Sequence, residues 1–133
     1  MALDNFFYTK EHDWIRFSGV TAFIGVAQFK LTGIPKIDDI GLFDYKDGDI
    51  IEQGTMLLNL HYRDYIIPVY APVTFTLLET NPIVAKGLWE HIAEDPEGAG
   101  WLFKVAPGQQ DKSHLQHPSF YTKLFPTNSA FQS

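Results

Sequence analysis

The 133-residue chain contains no cysteine. That absence excludes disulfide bonds, thiol nucleophiles and thiolate metal ligands, and it suits a reducing compartment. The 10 lysine and arginine residues are scattered along a chain of net charge −6, so no basic patch can follow a phosphate backbone and nucleic acid is not an expected partner. No apolar run reaches the roughly eighteen residues of a membrane span, and the first residues lack the pattern of a signal peptide. We therefore expect a cytoplasmic protein with no membrane partner.

Short apolar segments separated by turn residues dominate the sequence. Hydrophobic residues make up 45% and aromatic residues 15% of the chain, enough for one domain to bury a continuous core. The segments are rich in β-branched and aromatic residues, which predicts strands, and residues 6–25 have the pattern of a hairpin split at Ser18 and Gly19. Pro68 and Pro72 lie within another strand-like run, a position typical of a sheet edge or a bend.

Helical patterns are short. Residues 26–34 and residues 84–93 each predict one short helix. The polar tail carries aromatic islands, and we expect part of it to pack as a helix and its last residues to be loose. The predicted organisation is a body of residues 1–107 followed by a C-terminal extension of residues 108–133, partly helical or loose.

Five short motifs give the chain its resemblance to a known family. They follow one another in the family's order and almost its spacing over residues 8–105: YTKEHDWIRF, FIGVAQF, DGDIIEQG, YAPV and EDPEGAGWL. Together they resemble the glycine cleavage system H protein, within the lipoyl/biotinyl carrier-domain family. The resemblance implies a mainly β fold, a barrel-sandwich hybrid of antiparallel strands with a few short helices.

In that family a lysine at the tip of one hairpin carries lipoate. The resemblance implies an arm that accepts an aminomethyl group from a pyridoxal-phosphate-dependent glycine decarboxylase and passes it to a tetrahydrofolate-dependent aminomethyltransferase. A flavin-dependent dihydrolipoamide dehydrogenase then reoxidises the arm. The carrier itself catalyses nothing, and this sequence has no nucleophile elbow or glycine-rich phosphate loop that would indicate an enzyme.

Residues 59–81, NLHYRDYIIPVYAPVTFTLLETN, cover the position of the carrier hairpin. Placed without gaps against the family pattern, the carrier lysine falls on Asp64. Tyr62 and Arg63 replace the residues just before it, and His61 takes the position of a glutamate.

Asp64 cannot carry lipoate. Lipoylation forms an amide between the lipoyl carboxyl group and a lysine ε-amine, and aspartate has no amine. The nearest lysines in the sequence, Lys46 and Lys86, lie outside the hairpin. We therefore expect no lipoate and no other cofactor.

Other positions also depart from the family pattern. The resemblance places Asp13 where a glutamate is thought to hold the amine of the loaded arm, so a carboxylate is kept there as a remnant of the arm pocket. Pro68 replaces an acidic residue that would share this role, and Phe75 replaces a turn glycine after YAPV.

The hairpin tip admits two interpretations. Arg63 and Asp64 could form an ion-pairing recognition element, or they could be a solvated turn with no binding role. Tyr62 and Tyr65, with Tyr70 further along, could contact a protein partner beside Arg63, or they could be ordinary sheet packing.

No metal site is predicted. His61 and Asp64 are three residues apart, but two ligands without a third do not make a site. His114 and His117 have the same spacing in a polar tail, where chance is the simpler explanation.

The sequence thus predicts a non-catalytic, carrier-shaped protein that binds or regulates a protein partner. Glycine decarboxylase, the aminomethyltransferase and lipoate-handling enzymes are the candidate partners. Two alternatives stay open. One is a functional carrier modified at another lysine, and the other is a small-molecule binding module with Asp13, His61 and Asp64 around a remnant of the arm pocket.

Overall fold

The computed structural model describes residues 5–108 and 112–125. In these ranges the chain forms a six-stranded sheet of order β1-β2-β3-β9-β8-β5 and a three-stranded sheet of order β4-β6-β7, both antiparallel. The strands are β1 Phe6–Tyr8, β2 Asp13–Ser18, β3 Thr21–Val26, β4 Asp39–Leu42, β5 Ile50–Ile51, β6 Met56–Tyr62, β7 Tyr65–Tyr70, β8 Phe75–Thr80 and β9 Phe103–Pro107.

One apolar core holds the two sheets together. It takes alternate residues from both, such as Ile15 and Ile24 from the larger sheet and Leu58 and Val69 from the smaller, all fully buried. The prediction of a mainly β barrel-sandwich fold with a few short helices is confirmed. No helix in the described ranges is long and apolar enough to span a membrane.

The helices differ in detail from the sequence prediction. The predicted helix over residues 26–34 is only a 3₁₀ turn, Gln28–Leu31. The predicted helix over residues 84–93 is two helices, α1 Pro82–Ala85 and α2 Glu90–Glu94. Gly87 lies between them at φ +75°, a left-handed conformation that an α-helix cannot continue through.

Trp14 is the point where three of the sequence motifs meet. Its ring is fully buried and stacks on Phe6 with 5.1 Å between ring centroids, and its Nε1 donates a hydrogen bond to the Pro96 carbonyl at 2.9 Å. A Cβ at Gly25 would lie 2.6 Å from the indole, so only glycine fits beneath it.

Glu97 makes a second bridge between the same motifs. Its carboxylate accepts a hydrogen bond from the Tyr8 hydroxyl at 2.6 Å and another from the Gln28 backbone N–H at 2.8 Å. Burial, and then the bond to Glu97, strongly raise the pKa of Tyr8, which stays a neutral donor. Packing and hydrogen bonding within the fold therefore account for these motifs without a partner surface.

The C-terminal segment packs back onto β1. Helix α3, Pro118–Leu124, places Tyr121 flat against Tyr8, with 3.9 Å between ring centroids. The Tyr121 hydroxyl lies 2.6 Å from Nδ1 of His12, whose pKa is lowered by burial. The final residues, predicted to be loose, lie outside the described ranges, and the division at residue 107 stays a prediction.

Candidate functional site: the β6–β7 hairpin and its base

Strands β6 and β7 form the hairpin that the sequence predicts. Tyr62 pairs with Tyr65, which leaves Arg63 and Asp64 as a two-residue turn. Arg63 adopts φ +53°, the left-handed conformation that such tight turns require. Both turn residues are exposed, so the tip displays a guanidinium and a carboxylate.

The tip is anchored from a neighbouring loop. The Asp38 carboxylate accepts a hydrogen bond from the Arg63 backbone N–H at 2.8 Å, and the Asp38 N–H donates to the His61 carbonyl at 2.7 Å. Both bonds attach the β6 side of the turn to the loop before β4, so this side of the tip is fixed in the free protein.

Aromatic rings flank the tip. Tyr62 is buried, and its ring stacks on that of Tyr65 with 6.4 Å between centroids and 9° between planes. The Arg63 guanidinium lies 5.2 Å from the Tyr62 ring centre. Tyr65 itself is 64% exposed, and the neighbouring Ile66 is 61% exposed. These two apolar side chains are therefore available for contact with a partner.

His61 lies on the outer face of the smaller sheet. Its Nε2 would be 3.2 Å from a Cβ at Gly41, so the ring lies over the glycine of the neighbouring strand. His114 bonds to the Pro72 carbonyl at 2.6 Å and His117 packs on Phe7, so the two tail histidines have separate partners. Within residues 5–108 and 112–125, no three His, Asp or Glu side chains are grouped in a way that could hold a metal ion.

The outer edge of β7 is blocked. The Tyr70 N–H points away from β6 and donates to Oδ2 of Asp13 at 3.0 Å. Because backbone directions alternate along a strand, the nitrogen of Pro68 faces the same way and carries no hydrogen. This places Pro68 at a sheet edge, as the sequence predicts, and removes a donor that an added strand would need.

Asp13 is the buried charge at the base of the hairpin. It is 0% exposed, and Lys30 Nζ lies 2.8 Å from its Oδ1. Burial raises the pKa of Asp13 to about 6, with the Lys30 ammonium and the Tyr70 N–H acting in the opposite direction. Both carboxylate oxygens therefore have partners inside the protein.

The predicted site residues do not converge on one pocket. Asp13 contacts β7 at Tyr70, whereas Asp64 lies beyond Tyr65 at the other end of the strand, and β7 alone spans roughly 17 Å from Tyr70 to Tyr65 at the usual rise per residue. The structure therefore does not bring Asp13 together with Asp64 and His61. An arm attached to the tip would have to span this distance to reach Asp13.

A separate cavity of about 310 Å³ lies near the base of the hairpin. The C-terminal segment forms one wall, through His114 and Gln116. Gln116 Oε1 is buried and has no hydrogen-bond partner among the described residues. The other lining residues are Thr9, Lys10, Glu11, Gln53, Gly54, Ala71 and Pro72.

Sequence reasoning missed a lysine beside the tip. Lys36 Nζ lies 3.6 Å from Oδ1 of Asp38, whose Oδ2 binds the Arg63 backbone. The Lys36 side chain is 70% exposed. The segment before β4 brings it to the tip, which distance along the chain could not reveal.

Fold and hairpin together define a barrel-sandwich domain of the lipoyl-carrier type. The chain belongs to the glycine cleavage H-protein family, whose model matches residues 6–127. It is 38% identical over 120 residues to a probable glycine cleavage system H protein of Thermoplasma acidophilum, covering 88% of this chain and 90% of that one. It is 32% identical over 114 residues to the glycine cleavage system H protein of Acaryochloris marina, covering 83% and 86%. The crystal structure of an H protein from Mycobacterium marinum superposes with a TM-score of 0.75 at 22% identity, covering 90% and 95%, which supports the fold.

Proposed function

We propose that this chain is a non-lipoylated, non-catalytic H-protein homologue that binds an enzyme of glycine cleavage or of lipoate handling. One observation carries the proposal: the exposed hairpin tip presents Asp64, and the chain has no lysine between Lys46 and Lys86. The residues of the turn do not fit lipoate, because neither a carboxylate nor a guanidinium supplies the amine that an amide bond needs.

The base of the hairpin supports the same conclusion. By resemblance, the residue at position 13 holds the amine of a loaded arm. Here Lys30 supplies an ammonium from the chain itself, 2.8 Å from Oδ1 of Asp13, while the Tyr70 N–H occupies Oδ2. A charged arm would have to displace Lys30 to reach this carboxylate.

The tip also has the features of a small contact surface. Exposed Tyr65 and Ile66 lie beside Arg63, and tyrosine and arginine are common among residues that dominate protein interfaces. Strand addition at β7 is disfavoured because Pro68 lacks an N–H and the Tyr70 N–H is taken. We therefore propose that a partner recognises side chains of the tip.

Binding to purified glycine decarboxylase, aminomethyltransferase and lipoate ligase tests the proposal. We expect at least one enzyme to bind at roughly micromolar concentration, and the double variant Tyr65→Ser/Ile66→Ser to weaken binding by about tenfold or more. Val20→Ser is the matched control, since Val20 is an exposed apolar residue in a different turn. Absence of binding to all three enzymes contradicts the proposal.

A second candidate function is a carrier modified at another lysine. The position of Lys36 beside Asp38 favours this residue over Lys46 and Lys86. Peptide mass spectrometry of the native protein tests it directly. Lipoate on Lys36, lost in Lys36→Arg, would establish the carrier function and overturn our proposal.

A third candidate, small-molecule binding, is favoured by the cavity, which Gln116 helps to line. A ligand in this cavity would raise the melting temperature of the native chain, and the shift would be lost in Gln116→Leu. A ligand effect that survives Gln116→Leu would exclude this cavity as its site.

A further inference from the structure

One connecting segment joins an edge strand of the smaller sheet to an edge strand of the larger sheet. Strand β4 is an edge of the smaller sheet and β5 is an edge of the larger one, and residues 43–49 join them. We call residues 39–52, from the start of β4 to just after β5, the acidic flank. Each of its strands is hydrogen-bonded to a neighbouring strand on one side only.

Most of the net charge of the protein lies on this flank. It contains five acidic residues, Asp39, Asp44, Asp47, Asp49 and Glu52, against the single base Lys46, a net charge of −4 out of −6 for the whole chain. All five acidic residues are exposed, and the Asp44 side chain reaches 94% exposure. The remaining residues of the chain are therefore almost balanced in charge.

Exposed apolar side chains are interspersed with these carboxylates. Leu42 and Phe43 follow each other at the end of β4, and Ile50, at the start of β5, is 75% exposed. The ring centroids of Phe43 and Tyr45 are 6.2 Å apart, and the Tyr45 hydroxyl donates a hydrogen bond to the Met56 carbonyl. These contacts hold the segment between β4 and β5 against strand β6. Apolar contacts surrounded by charge are typical of a protein interface.

We infer that the acidic flank is a docking surface for a partner protein that presents a basic surface with an apolar centre. Charge complementarity selects this occupant, since nucleic acid, an anionic membrane and a second acidic flank would all be repelled. The inference rests on the proposed function, because it assumes that the chain works by binding a protein. It adds a surface other than the hairpin tip and states the chemistry of the partner.

The competing explanation is protection of the sheet edges. Charged residues on edge strands prevent one chain from adding to another, and the flank contains two such edges. Under that explanation, removal of the charges promotes aggregation and leaves partner binding unchanged.

Titration of the chain against the three purified enzymes named above separates these outcomes. Asp44→Asn/Asp47→Asn removes two exposed charges from the flank, and Glu90→Gln/Glu94→Gln removes two exposed carboxylates from α2 as a control. At low salt we expect the flank variant to bind at least about fivefold more weakly than the native chain, and its affinity to depend less on salt concentration. The affinity of the control variant should change by less than about twofold. Ile50→Ser, compared with Val20→Ser, tests the apolar part and should also weaken binding.

Each outcome decides between the explanations. If the native chain binds and both charge variants bind equally well, the inference is wrong and the proposed function stands. If the flank variant binds like the native chain but scatters light, the flank protects the edges and the inference is overturned. If the native chain binds none of the enzymes, the proposed function fails and the inference fails with it.

Discussion

Replacing Lys30 with methionine isolates the buried ion pair at the base of the hairpin. Methionine keeps most of the apolar stem but removes the ammonium 2.8 Å from Asp13, which is fully buried. Breaking a buried pair on one side costs about 3–5 kcal/mol when the remaining group stays charged. If the carboxyl is protonated instead, the loss is closer to a missing hydrogen bond, about 1 kcal/mol.

The pH dependence of this loss has a definite sign. Burial already raises the pKa of Asp13 to about 6, so the folded state keeps a proton that the unfolded state releases near its lower pKa. Stability therefore falls as the pH rises through this window. Without Lys30 the pKa of Asp13 rises further, so stability goes on falling to a higher pH. At a pH above the new pKa, each additional pKa unit lowers the free energy of unfolding by about 1.4 kcal/mol.

Urea unfolding followed by tryptophan fluorescence, to which the buried Trp14 contributes, measures the effect. We expect Lys30→Met to lower the free energy of unfolding by about 1 kcal/mol at about pH 5 and by about 3 kcal/mol at about pH 8. Asp13→Asn/Lys30→Met should recover most of this loss and remove the pH dependence. Lys36→Met, at an exposed lysine, should change stability by less than about 0.5 kcal/mol. A loss from Lys30→Met that is equal at both pH values would refute the reasoning.

Three further predictions concern the framework and the tip. Gly25→Ala should lower stability by about 2 kcal/mol, because its Cβ would lie 2.6 Å from the Trp14 ring; an unchanged melting temperature would contradict this. Tyr121→Phe should cost about 1 kcal/mol by removing the bond to His12 while the ring stack remains, and an unchanged free energy of unfolding would show that the hydroxyl contributes nothing. Asp64→Lys should change unfolding by less than about 0.5 kcal/mol and yet be lipoylated poorly, which mass spectrometry after co-expression with lipoate ligase can check; efficient modification would show that the surrounding substitutions matter little.

The hairpin could be predicted because its signals are local. A two-residue turn between β-rich segments fixes the pairing of Tyr62 with Tyr65, and Pro68 identifies the edge. The helices around Gly87 were less predictable, since a single left-handed residue decides where one ends and the next begins.

The contacts that define the site could not be predicted in the same way. Lys30 reaches Asp13 across the fold, and Lys36 reaches the tip through Asp38. Sequence spacing carries no information about either contact, because both depend on how the sheets pack. The motifs that carry the family resemblance have roles inside the fold, with Glu97 as the clearest case.

The most direct test of our central claim is the intact mass of the protein purified from its own cells, followed by peptide mapping. We predict the mass of the unmodified chain, with Lys36 and the other lysines carrying no acyl group. A lipoyl adduct on any lysine would contradict the account and identify the protein as a working carrier.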